Sequence, residues 1–357
     1  MHVVLAAGGT GGHIEPALNV GDALLRIDPS LTVSVLGSER GLETTLVPQR
    51  GYALDTVASV PLPRRPGMDL VKLAPRLATA VKQATAILTR TDARVVVGFG
   101  GYAAVPAYLA ARRRHTPIVI HEANATPGVA NRLGARFTDD VYESYPGTIR
   151  GARPMPVPLR RSISMLDREA MKSEALSDLG LNPDRQTLLV FGGSQGAARL
   201  NSIVAAALPS LHERGVQVLH AYGSRNEAPA GAEGYVAVPF IERMDLAYSA
   251  ADLALTRAGA MTCAELAAVG LPAIYVPLPI GNGEQRRNAL PVVNAGGGIL
   301  ADDSAITAEW LTETVLSVLH DESGLTAMQA AALAHGTRDA DEQLARIVIE
   351  AAAGGRA

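Results

Sequence analysis

Short, strongly apolar runs alternate along the chain with longer stretches whose apolar residues recur at helical spacing. Val3–Ala6, Thr32–Leu36, Val95–Val97 and Ile118–Ile120 are the short runs of the first half; Leu188–Phe191, Val216–His220, Leu253–Thr256 and Ala273–Val276 repeat them in the second. Pro16–Leu25, Val71–Leu88, Leu200–Leu211 and Thr262–Val269 carry the helical spacing. Strands that are apolar on both faces and separated by helices predict an α/β protein with parallel sheets covered on each side. The halves also resemble each other. Val3-Val4-Leu5-Ala6-Ala7-Gly8-Gly9-Thr10-Gly11-Gly12 and Leu188-Leu189-Val190-Phe191-Gly192-Gly193-Ser194-Gln195-Gly196 each read as a strand, two glycines, a hydroxyl residue and further glycine before a helix. Two doubly wound domains follow, with a boundary near Pro154–Pro158, where Pro154, Pro156 and Pro158 stiffen the connection. Asn226–Gly234 reads as an exposed loop of the second half.

Composition narrows the class. A chain of 357 residues suggests two domains, and 48% hydrophobic against 19% charged residues is too apolar for disorder. Val95–Ala111 and Leu266–Gly283 carry no charge, but glycines and prolines interrupt both, so buried strands with their loops explain them better than membrane spans. Lys+Arg 32 against Asp+Glu 35 gives a net charge of -3, so no overall basic field draws nucleic acid. The single cysteine, Cys263, excludes a disulfide framework and a cysteine-based zinc cluster and fits a reducing compartment. Met1–Leu5 runs straight into a strand with no basic segment or cleavage motif before it, so the expected location is the cytoplasm.

The glycine loops carry the first chemical signal. Gly8–Gly12 stands between a strand and a helix, where backbone N–H groups and the helix dipole favour an anion such as a phosphate; a tight turn that simply needs glycine explains it equally well. The dinucleotide fingerprint is incomplete, because Gly12-His13-Ile14 stands where a closing glycine belongs, and there is no P-loop lysine. His13, directly after the loop, is a candidate general base, with a capping or ligand-orienting histidine as the competing reading. His121, in His121-Glu122-Ala123-Asn124, ends a strand on the ligand side of a parallel sheet and carries the same ambiguity, and His220 also ends a strand. In the second half, Gly192–Gly196 is another possible anion cradle. Arg257–Glu265 opens a helix in which Thr262 and the first amides could hold phosphate and Glu265 could accept a ribose diol, or simply cap the helix. Gln285 follows a further strand end.

Metal signals are weak. Asp339-Ala340-Asp341 matches an Asp-x-Asp pattern, but beside Arg338 a solvated helix face is the better reading, and no histidine pair stands at ligand spacing beside a carboxylate. No cofactor and no metal are expected, so a leaving diphosphate would rely on helix dipoles, amides and an arginine such as Arg160. Between Pro61 and Arg90, Arg64, Arg65, Lys72, Arg76, Lys82 and Arg90 face only Asp69, with Leu70, Val71, Leu73 and Leu77 interspersed. Such a basic amphipathic segment can lie on an anionic lipid surface; alone, it reads better as an ordinary surface helix packing one face on the core. It has no aromatic residue to stack on bases.

Taken together, Gly8–Pro16, Gly98-Phe99-Gly100-Gly101-Tyr102, His121-Glu122-Ala123-Asn124, Gly192–Gly196 and Arg257–Ala260 resemble, in order and spacing, the MurG family of bacterial peptidoglycan glycosyltransferases. The resemblance runs from the first strand to about Ala295. It implies a GT-B fold of two Rossmann-like domains facing a cleft. Residues 1–157 with a returning helix at about 338–357 would form the acceptor- and membrane-associated domain, and 158–337 the domain for the UDP-sugar. It implies UDP-N-acetylglucosamine as donor, lipid I as acceptor and lipid II as product, at the cytoplasmic face of the cell membrane. By motif position, Thr10, Gly11, Gly12, Asn124, Arg160, Ser194, Ile241, Ala260, Met261, Thr262, Cys263, Ala264, Glu265 and Gln285 would contact the donor, with Glu265 on the ribose and Ile241 at the uracil. His13 would be the base, and Arg64, Arg65, Leu70, Val71, Lys72, Leu73, Arg76 and Leu77 the membrane patch. The chain departs from the family's usual pattern at Glu15, Pro156–Leu159, Cys263-Ala264 and Ile280–Gly283. The alternatives are a UDP-N-acetylglucosamine 2-epimerase or natural-product glycosyltransferase of the same fold, a nicotinamide-dependent oxidoreductase, and a non-catalytic peripheral membrane adaptor.

Overall fold

The computed structural model describes residues 1–60, 68–192, 197–279 and 282–354, with side chains from position 73 onward in the helix that begins at Met68. Its elements in chain order are β1 (His2–Ala6), α1 (Gly11–Ile27), β2 (Thr32–Ser38), α2 (Glu43–Gln49), β3 (Ala53–Val57), α3 (Met68–Arg90), β4 (Ala93–Gly98), α4 (Ala104–Arg114), β5 (Ile118–Glu122), α5 (Val129–Gly134), β6 (Val141–Glu143) and β7 (Arg153–Pro154). There follow α6 (Arg161–Ser164), α7 (Arg168–Asp178), β8 (Gln186–Phe191), α8 (Ala198–Glu213), β9 (Val216–Ala221), β10 (Tyr235–Val238), α9 (Met244–Ala250), β11 (Leu253–Thr256) and α10 (Ala260–Ala268). Then come β12 (Ala273–Tyr275), α11 (Glu284–Asn294), β13 (Gly298–Leu300), α12 (Ala308–Leu319), α13 (Glu322–His335) and α14 (Ala340–Gly354). Contacts divide the chain into two compact units, Met1–Arg160 with Asp339–Ala357, and Arg161–Arg338.

In the first unit the sheet runs β3-β2-β1-β4-β5-β6-β7, every pair parallel. The alternation of side chains along β1 explains its two covered faces. Val3 and Leu5 join a core with α1 and α14, through residues such as Leu18, Leu344 and Val348. Val4 and Ala6 join the opposite core, where Leu88 of α3 and Tyr108 of α4 are buried. The second unit repeats the plan with β10-β9-β8-β11-β12-β13, again all parallel. Leu188 and Val190 of β8 pack with Leu200 and Val204 of α8 and Leu311 and Val315 of α12.

This strand order places the functional loops. In each sheet the order reverses beside the first strand, and a parallel sheet binds ligands at the carboxyl ends of its strands at such a switch point. In the first unit the switch lies between β1 and β4, so the loops after them are neighbours. A Cβ added at Gly101, whose φ is +83°, would stand 2.2 Å from the Gly8 carbonyl oxygen, so only glycine allows this approach. In the second unit the switch lies between β8 and β11, the strands before Gly192 and before Arg257.

Candidate active site

The first glycine loop is built around an internal carboxylate. Glu43, fully buried at the start of α2, accepts hydrogen bonds from the Gly9 N–H (2.9 Å), the Ser38 N–H (3.0 Å) and the Ser38 hydroxyl (2.5 Å). The Gly9 amide is therefore engaged within the protein and is not open to an anion as the glycine pattern suggests. Thr10, the residue before α1, and Gly11 and Gly12, its first two positions, stand at the helix N-terminus, whose leading N–H groups have no intrahelical acceptor.

His13 follows in the first turn. Its Nδ1 is 3.3 Å from the Thr10 hydroxyl, and its ring lies over Gly100 of the neighbouring loop. It borders an apolar cavity of about 370 Å³ whose walls include Val60, Leu73, Leu77, Tyr102 and Val105. Leu73 and Leu77, expected in a membrane patch, are half-buried along this cavity, whereas Arg76 is exposed. Arg64 and Arg65 lie outside the described residues, as do the side chains of Leu70, Val71 and Lys72.

The second histidine candidate has a different setting. His121 is fully buried, and its Nε2 lies 3.2 Å and 3.1 Å from the carbonyls of Met155 and Pro156, so the ring donates there as a neutral imidazole. Burial pushes its pKa down to about 4, and its Nδ1 has no hydrogen-bond partner among the described residues. This is a structural histidine. Its neighbour Glu122, which the sequence reading passed over, is also buried. It accepts from the N–H groups of Asn124 and Gly128 and from the Asn131 amide, so the Asn124 loop is shaped by one carboxylate. Arg160 donates to Glu15 at 2.9 Å, and Arg50 donates to the same Glu15 oxygen at 2.9 Å. Glu15, a departure from the family pattern, thus holds the arginine expected at the diphosphate.

In the second unit, α10 begins at Ala260 behind Gly259, a residue with no side chain to cap the helix, and Thr262 Oγ1 lies close to this end. Thr262 and Glu265 are half-buried on this helix, and Cys263 is buried with its thiol pKa raised by desolvation. Tyr248 donates its hydroxyl to Glu265 at 2.7 Å. Arg257 is buried and donates to the Val276 carbonyl (3.1 Å) and Asp303 (2.6 Å), which fixes the strand end before α10. Gln285 accepts from the Leu278 N–H at 2.9 Å and so braces the segment after β12. Ile241 is buried next to Phe240, a residue that is 57% exposed. Ser194, with its loop 193–196, and residues 280–281 lie outside the described residues. His220 is a further structural histidine, between the Tyr235 hydroxyl (2.7 Å) and Asn201 (3.1 Å), with its pKa pushed down to about 4 by burial. Of the Asp-x-Asp pattern, Asp339 lies on the solvated face expected, accepting from Gln343, whereas Asp341 is buried against Arg26 of α1 at 2.7 Å. Among the described residues no group of three or more His, Cys, Asp or Glu is placed to hold a metal ion.

Comparison with known proteins identifies this arrangement. Residues 3–143 match the glycosyltransferase family 28 N-terminal domain and residues 187–344 the corresponding C-terminal domain. A Streptomyces avermitilis protein named UDP-N-acetylglucosamine--N-acetylmuramyl-(pentapeptide) pyrophosphoryl-undecaprenol N-acetylglucosamine transferase is 57% identical over 99% of each chain. The protein of the same name from Mycolicibacterium smegmatis is 53% identical over 99% of this chain and 95% of its own. The crystal structure of Acinetobacter baumannii MurG superposes with a TM-score of 0.77 at 29% identity, over 98% of this chain and 99% of the other. A UDP-N-acetylglucosamine 2-epimerase of 14% identity aligns at 0.66, a likeness of fold alone. With two parallel-sheet units of GT-B type and relatives this similar over their whole length, the chain belongs to the MurG family of glycosyltransferases.

Proposed function

We propose that this chain transfers N-acetylglucosamine from UDP-N-acetylglucosamine to the 4-hydroxyl of the muramoyl sugar of undecaprenyl-diphosphate-linked lipid I, with inversion, giving lipid II and UDP. The observation that carries this is the 57% identity over 99% of both chains to a relative named for that donor and acceptor. Of the alternatives, the 2-epimerase rests only on a likeness of fold.

On the acceptor side, His13 is the base. With its proton on Nδ1 directed at Thr10, Nε2 is left to take the proton of the attacking hydroxyl. The hydroxyl oxygen forms the new bond to the anomeric carbon, whose bond to the phosphate oxygen breaks, and UDP departs with the electron pair. On the donor side, the N-terminal amides at Ala260–Thr262 stabilise the charge growing on the diphosphate, because that helix end offers donors and a positive dipole behind a glycine that has no side chain to cap it. Arg160 adds a guanidinium, sharing it with Glu15. Glu265 accepts the ribose diol, and the exposed Phe240 ring gives the uracil near Ile241 a stacking face. Ser194, Gln285, Asn124, Gly11 and Gly12 complete the donor contacts.

The polyprenyl acceptor brings the reaction to a lipid surface. The apolar cavity beside His13, walled partly by α3, suits the start of such a chain, and exposed Arg76 suits anionic headgroups. No described helix is long and apolar enough to cross a membrane. A peripheral position on the cytoplasmic face fits both. The deciding assay measures UDP release from UDP-N-acetylglucosamine with and without lipid I, in the presence of EDTA. Release that requires lipid I and yields lipid II is the expected result; free N-acetylmannosamine formed without lipid I would replace this reading with the epimerase.

A further inference from the structure

Glu265 does not hold its orientation alone. Tyr248, on α9, is fully buried and reaches α10 with its hydroxyl, which donates to Glu265 Oε2 at 2.7 Å. Its ring is fixed on one side by Phe191, the last residue of β8, with centroids 6.2 Å apart and planes tilted by 56°. Its main chain is fixed as well. Arg168, in the first turn of α7, donates to the carbonyl of Tyr248 (2.8 Å), to that of Ala251 just after α9, and to that of Gly270 just after α10 (3.0 Å). One guanidinium therefore joins the carboxyl ends of the two helices that the tyrosine–glutamate bond bridges.

We propose that Tyr248 is a positioning residue for the donor: its hydroxyl sets the Glu265 carboxylate in the orientation that accepts a vicinal diol. The proposal rests on the assignment of Glu265 to the ribose. A half-buried glutamate has several torsions open to it, and ordering them at the moment of binding opposes affinity. A phenol anchored at ring and backbone removes that freedom beforehand. It occupies one of the roughly four lone-pair sites of a carboxylate and leaves acceptor capacity for the sugar hydroxyls. Phenylalanine at this position would keep the packing and lose only the donor.

The test compares the affinities of UDP and 2′,3′-dideoxy-UDP, by calorimetry, for the full chain, Tyr248→Phe, Glu265→Ala and the double variant, each with its Tm recorded. Loss of an orienting bond to a charged group should weaken UDP binding by roughly 10-fold in Tyr248→Phe, with the dideoxy analogue bound as by the parent. In the Glu265→Ala background the tyrosine change should have no further effect, since both act through one carboxylate. Equal weakening of both nucleotides by Tyr248→Phe, or additive losses in the double variant, would mean a general packing role and would overturn the proposal. Should Glu265→Ala weaken UDP while Tyr248→Phe binds it normally, the positioning role fails and the ribose assignment stands. Should Glu265→Ala itself bind UDP normally, the ribose assignment fails and takes the tyrosine's role with it.

Discussion

Two histidines in the first unit show how little of a residue's role its sequence context decides. His13 comes after β1 by way of the glycine loop and His121 lies at the carboxyl end of β5, both on the ligand side of a parallel sheet and both beside polar residues. Burial separates them. A fully buried imidazole whose Nε2 faces two carbonyls cannot take up a proton there, whereas His13 lies at the edge of a cavity with a hydroxyl beside its other nitrogen. Replacing His13 by Ala should lower kcat by about 10²–10⁴-fold, the usual contribution of general-base catalysis, with UDP affinity little altered. Steady-state rates and calorimetry on the same preparation test this, and near-parental turnover would remove His13 from the mechanism. Glu43 and Glu122 were not legible as site-forming residues. Their partners are mostly backbone amides, which carry no side-chain signature; the clues for Glu43 are the glycines around it, Gly8, Gly37 and Gly41, where a Cβ would stand 2.7, 2.9 and 2.2 Å from its side chain.

At the scale of the element, the periodic segments and the apolar strands were readable, and several of the shortest elements were not. Val71–Leu88 and Leu200–Leu211 lie within α3 and α8, and all eight expected strands are present. Helix α2, of 7 residues with an internal proline, has too few turns to show a period, and β6, β7 and β13 are strands of 3, 2 and 3 residues. Yet α2 supplies the carboxylate that ties β2 to the glycine loop. In Glu43→Gln an amide NH₂ would be brought against a site whose partners are themselves donors, and a buried donor left without an acceptor costs about 1–3 kcal/mol. Urea unfolding should show a loss of that size. Turnover should fall as well, because Gly9 leads directly into the turn that carries His13.

For the whole molecule, the alternation of strand and helix in both halves was enough to predict two parallel-sheet units of similar plan. The pairing of Glu15 with Arg160 was beyond it, since 145 positions separate the partners. Each unit also contains one neutral buried histidine, His121 or His220, with its pKa lowered from 6.5 to about 4. The unfolded chain takes up a proton near pH 6.5 and the folded chain does not until about pH 4, so the stability linked to each group is complete above 6.5 and is lost as pH falls towards 4. The loss approaches roughly 3 kcal/mol per group. Denaturant midpoints measured at pH 7 and pH 5 should fall accordingly, and a His220→Gln variant should show a flatter profile for the second unit. Finally, the path of the chain bears on its synthesis. It leaves the first unit after Arg160 and returns only at Asp339, yet Leu344, Ala345 and Val348 of the returning helix are fully buried against the β1 face. A nascent polypeptide emerging from the ribosome must therefore carry an uncovered apolar surface while some 178 residues of the intervening unit are translated, and the part made first is the last to be sealed.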